Sequence, residues 1–350
     1  MALDRAFPKL ETLSVSSLYP QPPALPEKFV APRLRFLHLC YRAISVVPSF
    51  LANAAANLIS LTLDGIQPPS YLPPESLIEY ISSMPQLGNL SISFDTPFHV
   101  HSTETGLWRT QITPIVLPCL WKFTFIGLSD YLEKMLALIS TPLLQCFRII
   151  FFPQDTLAVP SLLGFFRTIK NLEFRTAVVS MESYLGTVTI TYHPRQPLDF
   201  LSSFTFSIDD DVNQLNRQVA AVLQLCTAAA PTLYGVEGLS LELYDDYIPD
   251  DFAVRSKLWY TFFRLFKALR TLQVDFALTP EMASFLNPGD GTTAEELLPM
   301  LSELVVVSKF HLVINNPFAT FIHSRRLTDY PINFRTIKQL PSVLESSDAS

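Results

Sequence analysis

Apolar residues along this chain fall into a short recurring frame, Leu-x-x-Leu-x-Leu with apolar substitutes. It occurs at Leu10/Leu13/Val15, Leu34/Leu37/Leu39, Leu58/Leu61/Leu63, Leu87/Leu90/Ile92, Leu120/Phe123/Phe125 and Leu144/Phe147/Ile149. It continues at Ile169/Leu172/Phe174, Leu201/Phe204/Phe206, Val236/Leu239/Leu241, Leu269/Leu272/Val274 and Leu301/Leu304/Val306. Successive frames start 24 to 35 residues apart. The second and third apolar positions are two residues apart, so they share one face of a short strand. The first comes in from the preceding turn and closes the same layer. A single layer cannot bury itself, whereas a stack of them makes a continuous core.

A period of this size, at the upper end of ~20–29 residues, points to leucine-rich repeats. The fold class expected is α/β, a leucine-rich-repeat solenoid or horseshoe. Short parallel strands line its concave face and helices its convex face. Parallel pairing needs a crossover of a dozen residues or more, and the segments between frames supply it. Residues 74–81 begin with Pro74-Glu75, a helix start. Asp130 is placed to cap Tyr131 to Ile139, with a stop at Thr141-Pro142. Asn213 to Ala229 puts Leu215, Val219, Val222, Leu223 and Cys226 on one side, and Ser256 to Ala268 does so with Leu258, Phe262, Leu265 and Phe266. The asparagine that usually follows the third apolar position is missing, with Ile66, Asp95, Leu128 and Phe152 nearby instead, so an irregular array is expected. One domain over 1–340 with about eleven repeats is expected, and a disordered tail over 341–350.

Composition narrows the function. Hydrophobic residues make up 49% of the 350 and charged residues only 16%, against about 25% in an ordinary soluble domain, so a large core is expected. Ten glycines against 28 prolines disfavour phosphate-cradling glycine loops. A net charge of −7 disfavours a nucleic-acid binder. Met135 to Phe152, the most apolar long stretch, is broken by Pro142, Gln145 and Arg148, so no membrane span is expected. The N-terminus has no apolar signal region. Cys40, Cys119, Cys146 and Cys226 lie in apolar runs without metal or disulfide spacing and read as small buried thiols. An intracellular protein, cytoplasmic or nuclear, follows. The sequon Asn89-Leu90-Ser91 lies in an expected strand and reads as accidental.

Three segments carry a family resemblance: Tyr71 to Leu87 leading into Leu90-Ser91-Ile92, Trp259 to Val274, and Leu297 to Met300-Leu301 through Phe321-Ile322-His323-Ser324-Arg325-Arg326 to Pro331. With the repeat layout, they resemble the leucine-rich-repeat region of the F-box-like protein family of mushroom-forming fungi. The resemblance implies repeats that hold a client, while an F-box recruits a ubiquitin ligase scaffold. Leu72 to Ile81 has the look of a first F-box helix, but a strand frame starts at Leu87, where further F-box helices would stand. Contact with a ligase adaptor is therefore expected only if an F-box lies upstream. The first repeat follows Met1 without an amphipathic cap, which favours such an upstream portion.

No serine elbow, phosphate loop, His-Glu-x-x-His or paired Cys-x-x-Cys occurs, and neither catalysis nor a cofactor is expected. His99 and His101 could share one strand side as metal ligands, though a solvated loop is the default. Asp209-Asp210-Asp211 and Asp245, Asp246, Asp250 and Asp251 follow successive strands and read as helix caps and solvated loop. A basic partner and calcium are the alternatives there. Arg325, Arg326, Arg335 and Lys338 read as a solvated basic end. The function expected is a non-catalytic scaffold with a protein client on the concave face. A plain repeat protein with no ubiquitin link is the alternative, and an enzyme the remote one. Early outward positions carry small hydroxyls, such as Ser14, Thr62 and Ser91, and later ones carry charge. The candidate contact residues are accordingly Arg148, Glu173, Arg175, Glu242 and Asp275, helped by Asp245 and Asp246 on the rim.

Overall fold

The computed structural model describes residues 6–16, 29–40, 55–67, 72–96, 114–152, 154, 159–169, 174–182, 187–194, 203–208, 220, 223, 226, 233–243, 256–287, 298–308, 316–327 and 331–338. The chain is α/β, with mostly parallel sheet. In chain order the strands are β1 (Thr12–Ser16), β2 (Phe36–Cys40), β3 (Ser60–Ile66), β4 (Asn89–Phe94), β5 (Ile115–Val116), β6 (Lys122–Gly127), β7 (Ile139–Ser140) and β8 (Cys146–Phe151). They continue with β9 (Phe174–Glu182), β10 (Thr187–Pro194), β11 (Ser203–Ile208), β12 (Gly238–Leu243), β13 (Thr271–Asp275), β14 (Glu303–Ser308) and β15 (Asn333–Lys338). The helices are α1 (Pro74–Ser82), α2 (Ser129–Leu136), α3 (Pro160–Thr168), α4 (Ser256–Phe263), α5 (Thr279–Leu286) and α6 (Ala319–Arg326). Among the described residues no helix is long and apolar enough to cross a membrane.

Two compact units divide the chain, Met1–Leu172 with Pro197–Asp211, and Glu173–Gln196 with Val212–Ser350. In the first, β1, β2, β3, β4, β6, β8 and β11 pair in that order, all parallel. Matching frame positions stand side by side: Leu37 beside Leu61, Leu61 beside Leu90, Phe123 beside Phe147, Phe147 beside Phe204. Phenylalanine replaces leucine toward β11, and Phe147 packs against Phe123, Phe165, Phe166, Phe204 and Phe206. The short strands β5 and β7 make a separate parallel pair.

A proline turn introduces six of the strands. The amide of the first apolar residue donates to the carbonyl three residues back, as in Leu10 to Phe7, Leu34 to Ala31, Leu87 to Met84, Leu120 to Leu117, Leu144 to Thr141 and Leu301 to Leu298. Proline stands second in all six turns: Pro8, Pro32, Pro85, Pro118, Pro142 and Pro299. Its fixed φ suits that position, and it has no N–H to leave unbonded there. Here lies part of the reason for the proline excess. Just before several strands, one carbonyl accepts two amides from the next repeat: Glu11 from Arg35 and Phe36, Arg35 from Ile59 and Ser60, Gly88 from Trp121 and Lys122. Trp121 and Arg270 repeat the pattern. Backbone bonds thus join neighbouring repeats although the asparagine ladder is missing.

In the first unit, α1 starts with Pro74 and buries Leu77, Ile78 and Ile81. Asp130 does not cap α2, whose N-terminal cap is Leu128. Gln154 does that work instead: its Oε1 accepts from the Ser129 amide (3.3 Å) and hydroxyl (2.9 Å). The helix stops at Leu136, because Ile139 and Ser140 pair as β7. Glu133 on α2 caps α3, accepting from the amides of Ser161 (2.5 Å) and Leu162 (3.2 Å). Tyr131 packs on Phe94 and Phe125 and donates its hydroxyl to the Leu72 carbonyl at 2.9 Å.

In the second unit, β9 pairs with β10 on one side and β12 on the other, followed by β13, β14 and β15. β10 runs antiparallel, a departure from the all-parallel expectation. The register of β9 corrects the frame at Ile169/Leu172/Phe174. Leu239 and Leu241 stand beside Ala177 and Val179, so the frame is Phe174/Ala177/Val179, all three buried. α4 ends at Phe263, short of the expected Ala268, and buries Trp259 and Phe263 as well as Phe262. Trp259 Nε1 donates to Glu281 on α5 at 2.8 Å. Arg325 is not part of a solvated end. It is 1% exposed and donates to the Leu301 carbonyl at 2.9 Å. Of the cysteines only Cys226 is buried; Cys40 and Cys146 are half-buried and Cys119 is exposed. The tail beyond 340 and most of 213–229 lie outside the described residues, although Ala220, Leu223 and Cys226 are helical.

Candidate functional site

Opposite its core face, the sheet of the first unit presents a column of side chains in strict register. The column runs Ser14, His38, Thr62, Ser91, Thr124, Arg148, Thr205, one residue from each strand. Parallel pairing spaces them ~4.8 Å apart. Five of the seven are hydroxyls, each able to donate and accept. His38 and Arg148 are exposed, and Thr62, Ser91, Thr124 and Thr205 half-buried. The next column begins Ser16, Cys40, Asp64. The Cys40 thiol donates to Asp64 Oδ2 at 3.6 Å, and Ser14 Oγ lies 3.5 Å from His38 Nδ1. Burial, the Asp64 carboxylate and that hydrogen bond all push the Cys40 thiol up from its ordinary pKa. The strand-lead side of this unit carries a groove of about 510 Å³ lined by Glu11, Arg33, Arg35, Asn57, Ile59 and Gln86.

The candidate contact residues have separate surroundings. Arg148 stands exposed in the middle of β8, with Thr124 and Thr205 beside it. It belongs to the first unit, whereas Arg175, Glu242 and Asp275 belong to the second. Glu242 accepts from the hydroxyls of Ser180 (3.2 Å) and Ser240 (3.3 Å). Asp275 Oδ1 accepts from the Ala277 amide at 3.0 Å, capping a 3-10 turn over Phe276–Leu278. That carboxylate has a structural task. Arg175 is not on the outward row. The corrected register puts Val178 and Ser180 there, while Arg175 directly follows the frame's first residue, Phe174, and pairs with Glu237 at 3.7 Å. Glu173, Asp245 and Asp246 lie outside the described residues, as do His99, His101, Asp209 to Asp211, Asp250 and Asp251.

Comparison of the chain with protein-family models and with curated proteins finds no match.

The outward rows of the second unit are less uniform than those of the first. β14 turns Val305 and Val307 toward positions where its neighbours carry Gln273 and Asp275, and both valines are buried. On β15, Arg335 forms an ion pair with Glu303, which also accepts from Thr271 Oγ1 at 3.2 Å. Two buried groups pair with each other: the Tyr192 hydroxyl and Cys226 thiol lie 3.2 Å apart, and burial raises Cys226 to about 12. Sequence reasoning took Cys40 for a small buried thiol without metal spacing, so its nearness to His38 and Asp64 was missed. The signal was present: His38 and Cys40 are two apart on one strand, and Asp64 follows Cys40 by one 24-residue repeat.

Proposed function

We propose that the chain is a non-catalytic protein-binding scaffold, a leucine-rich-repeat solenoid whose strand face receives a protein client. One observation carries this reading: the in-register column from Ser14 to Thr205, a row of hydroxyls interrupted by His38 and Arg148. Such a row offers donors and acceptors at fixed pitch along seven strands, which suits an elongated segment of a client. Arg148 adds a charge that steers and orients an acidic stretch of that client. On the second unit, Glu242 is the charged contact of the reading, held ready by two serine hydroxyls. Asp275 and Arg175 are withdrawn from it, since one caps a turn and the other sits outside the outward row.

The ubiquitin part rests on the family resemblance alone. Client recognition for a ligase is its content, an upstream F-box is its condition for adaptor contact, and the cytoplasm or nucleus is its setting. The test is cross-linking in cells from a photoreactive residue at Thr124 on the strand face and, separately, at Glu79 on the exposed side of α1. A client is expected from Thr124 only. Its affinity for the purified chain should fall at least ~10-fold with Arg148→Glu at unchanged thermal stability. Cross-links from Glu79 alone, or affinity indifferent to Arg148→Glu, would overturn the assignment.

A further inference from the structure

We propose that His38, Cys40 and Asp64 form a zinc-binding site that bridges β2 and β3. Imidazole, thiol and carboxylate each offer one donor atom, and the three atoms lie within 4.8 Å of one another. Their placement follows from the repeat. His38 and Cys40 are two apart on β2 and share its outward side, and Cys40 pairs directly with Asp64 on β3. Zinc bonds of ~2.0–2.3 Å in a tetrahedron hold their donors about 3.3–3.7 Å apart. Cys40 Sγ and Asp64 Oδ2 are already at 3.6 Å. His38 is exposed, so its ring has the rotamer freedom to close the remaining ångström or so.

A second feature marks the place. The pairing of β3 with β4 shifts between Leu63 and Ile66, so Asp64 and Gly65 form a bulge, and Gly65 takes a left-handed φ of 64°. A bulge breaks the ladder locally, and here it takes Asp64 out of the pairing with β4 while leaving it paired with Cys40 on β2. The register neighbours Ser14, Ser16 and Thr62 are neutral, so no adjacent lysine or arginine in these columns stands where the ion would sit. The donor set selects the metal. A thiolate with an imidazole favours zinc over magnesium or calcium, which take oxygen ligands. On binding, the Cys40 thiol releases to solvent the proton that it donates to Asp64, and the ion takes that proton's place between sulfur and oxygen. Three protein ligands leave a fourth position for water.

Cobalt(II), which reports thiolate coordination by a near-ultraviolet charge-transfer band, is the probe for the full chain after chelator treatment. One equivalent should produce the band, and zinc should abolish it by displacement. Cys40→Ser should remove the band, and Asp64→Asn and His38→Gln should each weaken binding at least ~10-fold. Cys119→Ser, at the exposed cysteine, should change nothing. Far-ultraviolet dichroism establishes that each variant is folded, and all three ligands are at least partly exposed. No saturable band in the wild type, a band that survives Cys40→Ser, or one lost with Cys119→Ser would overturn the site. The measurement needs no client, so its failure would leave the binding-scaffold reading standing.

Discussion

Removing the ring of Phe147 tests the core where its layers meet. Phe147 is fully buried in β8, and its ring centroid lies 5.4–6.1 Å from five others. Those rings belong to β6, α3 and β11, so elements far apart in sequence depend on one side chain. Phe→Ala at a buried site costs ~3–5 kcal/mol, and the cost rises where the surroundings cannot collapse. Here the surrounding rings are held by three separate elements, and each aromatic pair adds ~0.5–1.5 kcal/mol beyond area. A loss near the top, about 4–5 kcal/mol, is expected for Phe147→Ala. Phe36 provides the control: it lies outward on β2, is 42% exposed, and has the Arg35 guanidinium 5.9 Å from its ring. Phe36→Ala should cost no more than about 1 kcal/mol, since an exposed cation–π contact contributes ~0.5–1. Urea denaturation followed by far-ultraviolet dichroism gives both numbers, provided the slope is unchanged. Comparable losses at the two sites, or less than about 1 kcal/mol at Phe147, would refute the layer assignment.

At Arg325, substitution by Met should destabilise by about 1–3 kcal/mol, because the Leu301 carbonyl loses its buried donor. Arg326→Met next to it, on an exposed residue, should stay within ~0.5 kcal/mol in the same assay. In alkali, Cys226 gives a signed pH dependence, since its folded pKa of about 12 exceeds the ordinary thiol value of 9.0. Below that ordinary value both states hold the proton and its contribution is complete. Above it the unfolded chain loses the proton first, so stability should fall from about pH 9 toward 12, by up to ~1.4 kcal/mol per unit. Cys226→Ala should flatten that slope in melting curves taken across the range.

Most strands were legible because their frame repeats the two-residue period that a half-buried strand requires. β9 was misread for a local reason. Phe174 can serve as the third apolar residue of one frame or the first of another, and Ala177 is too small to announce itself as a core position. β10 carries no such frame, because a hairpin strand needs only alternation, as in Ile190 and Tyr192. β15 was passed over since Asn333, Thr336 and Lys338 are exposed and polar. Arg148 was correctly read as exposed from its place between Phe147 and Ile149. Asp275 has the same pattern, yet its carboxylate turns back on the Ala277 amide, which depends on the turn beyond the strand. Arg325 was hidden by its charge, although it falls four residues after Phe321 on the buried side of α6.

The chain leaves the first unit after Leu172 and returns at Pro197. On a ribosome this interrupts assembly. β6 and β8 pair across 24 residues (Lys122 to Cys146), whereas β8 must wait 57 residues (Cys146 to Ser203) for β11. The extra loop adds only ~0.8 kcal/mol of closure entropy. Time is the larger matter, since at ~5–20 residues per second β11 follows β8 by about 3–11 s. During that interval β8 is an unpaired edge strand of sequence Cys-Phe-Arg-Ile-Ile-Phe. Such an edge invites pairing with another nascent chain, and a single charge at its centre is a recognised deterrent. Arg148 is that charge, placed on the strand with the longest wait for its partner in the first unit.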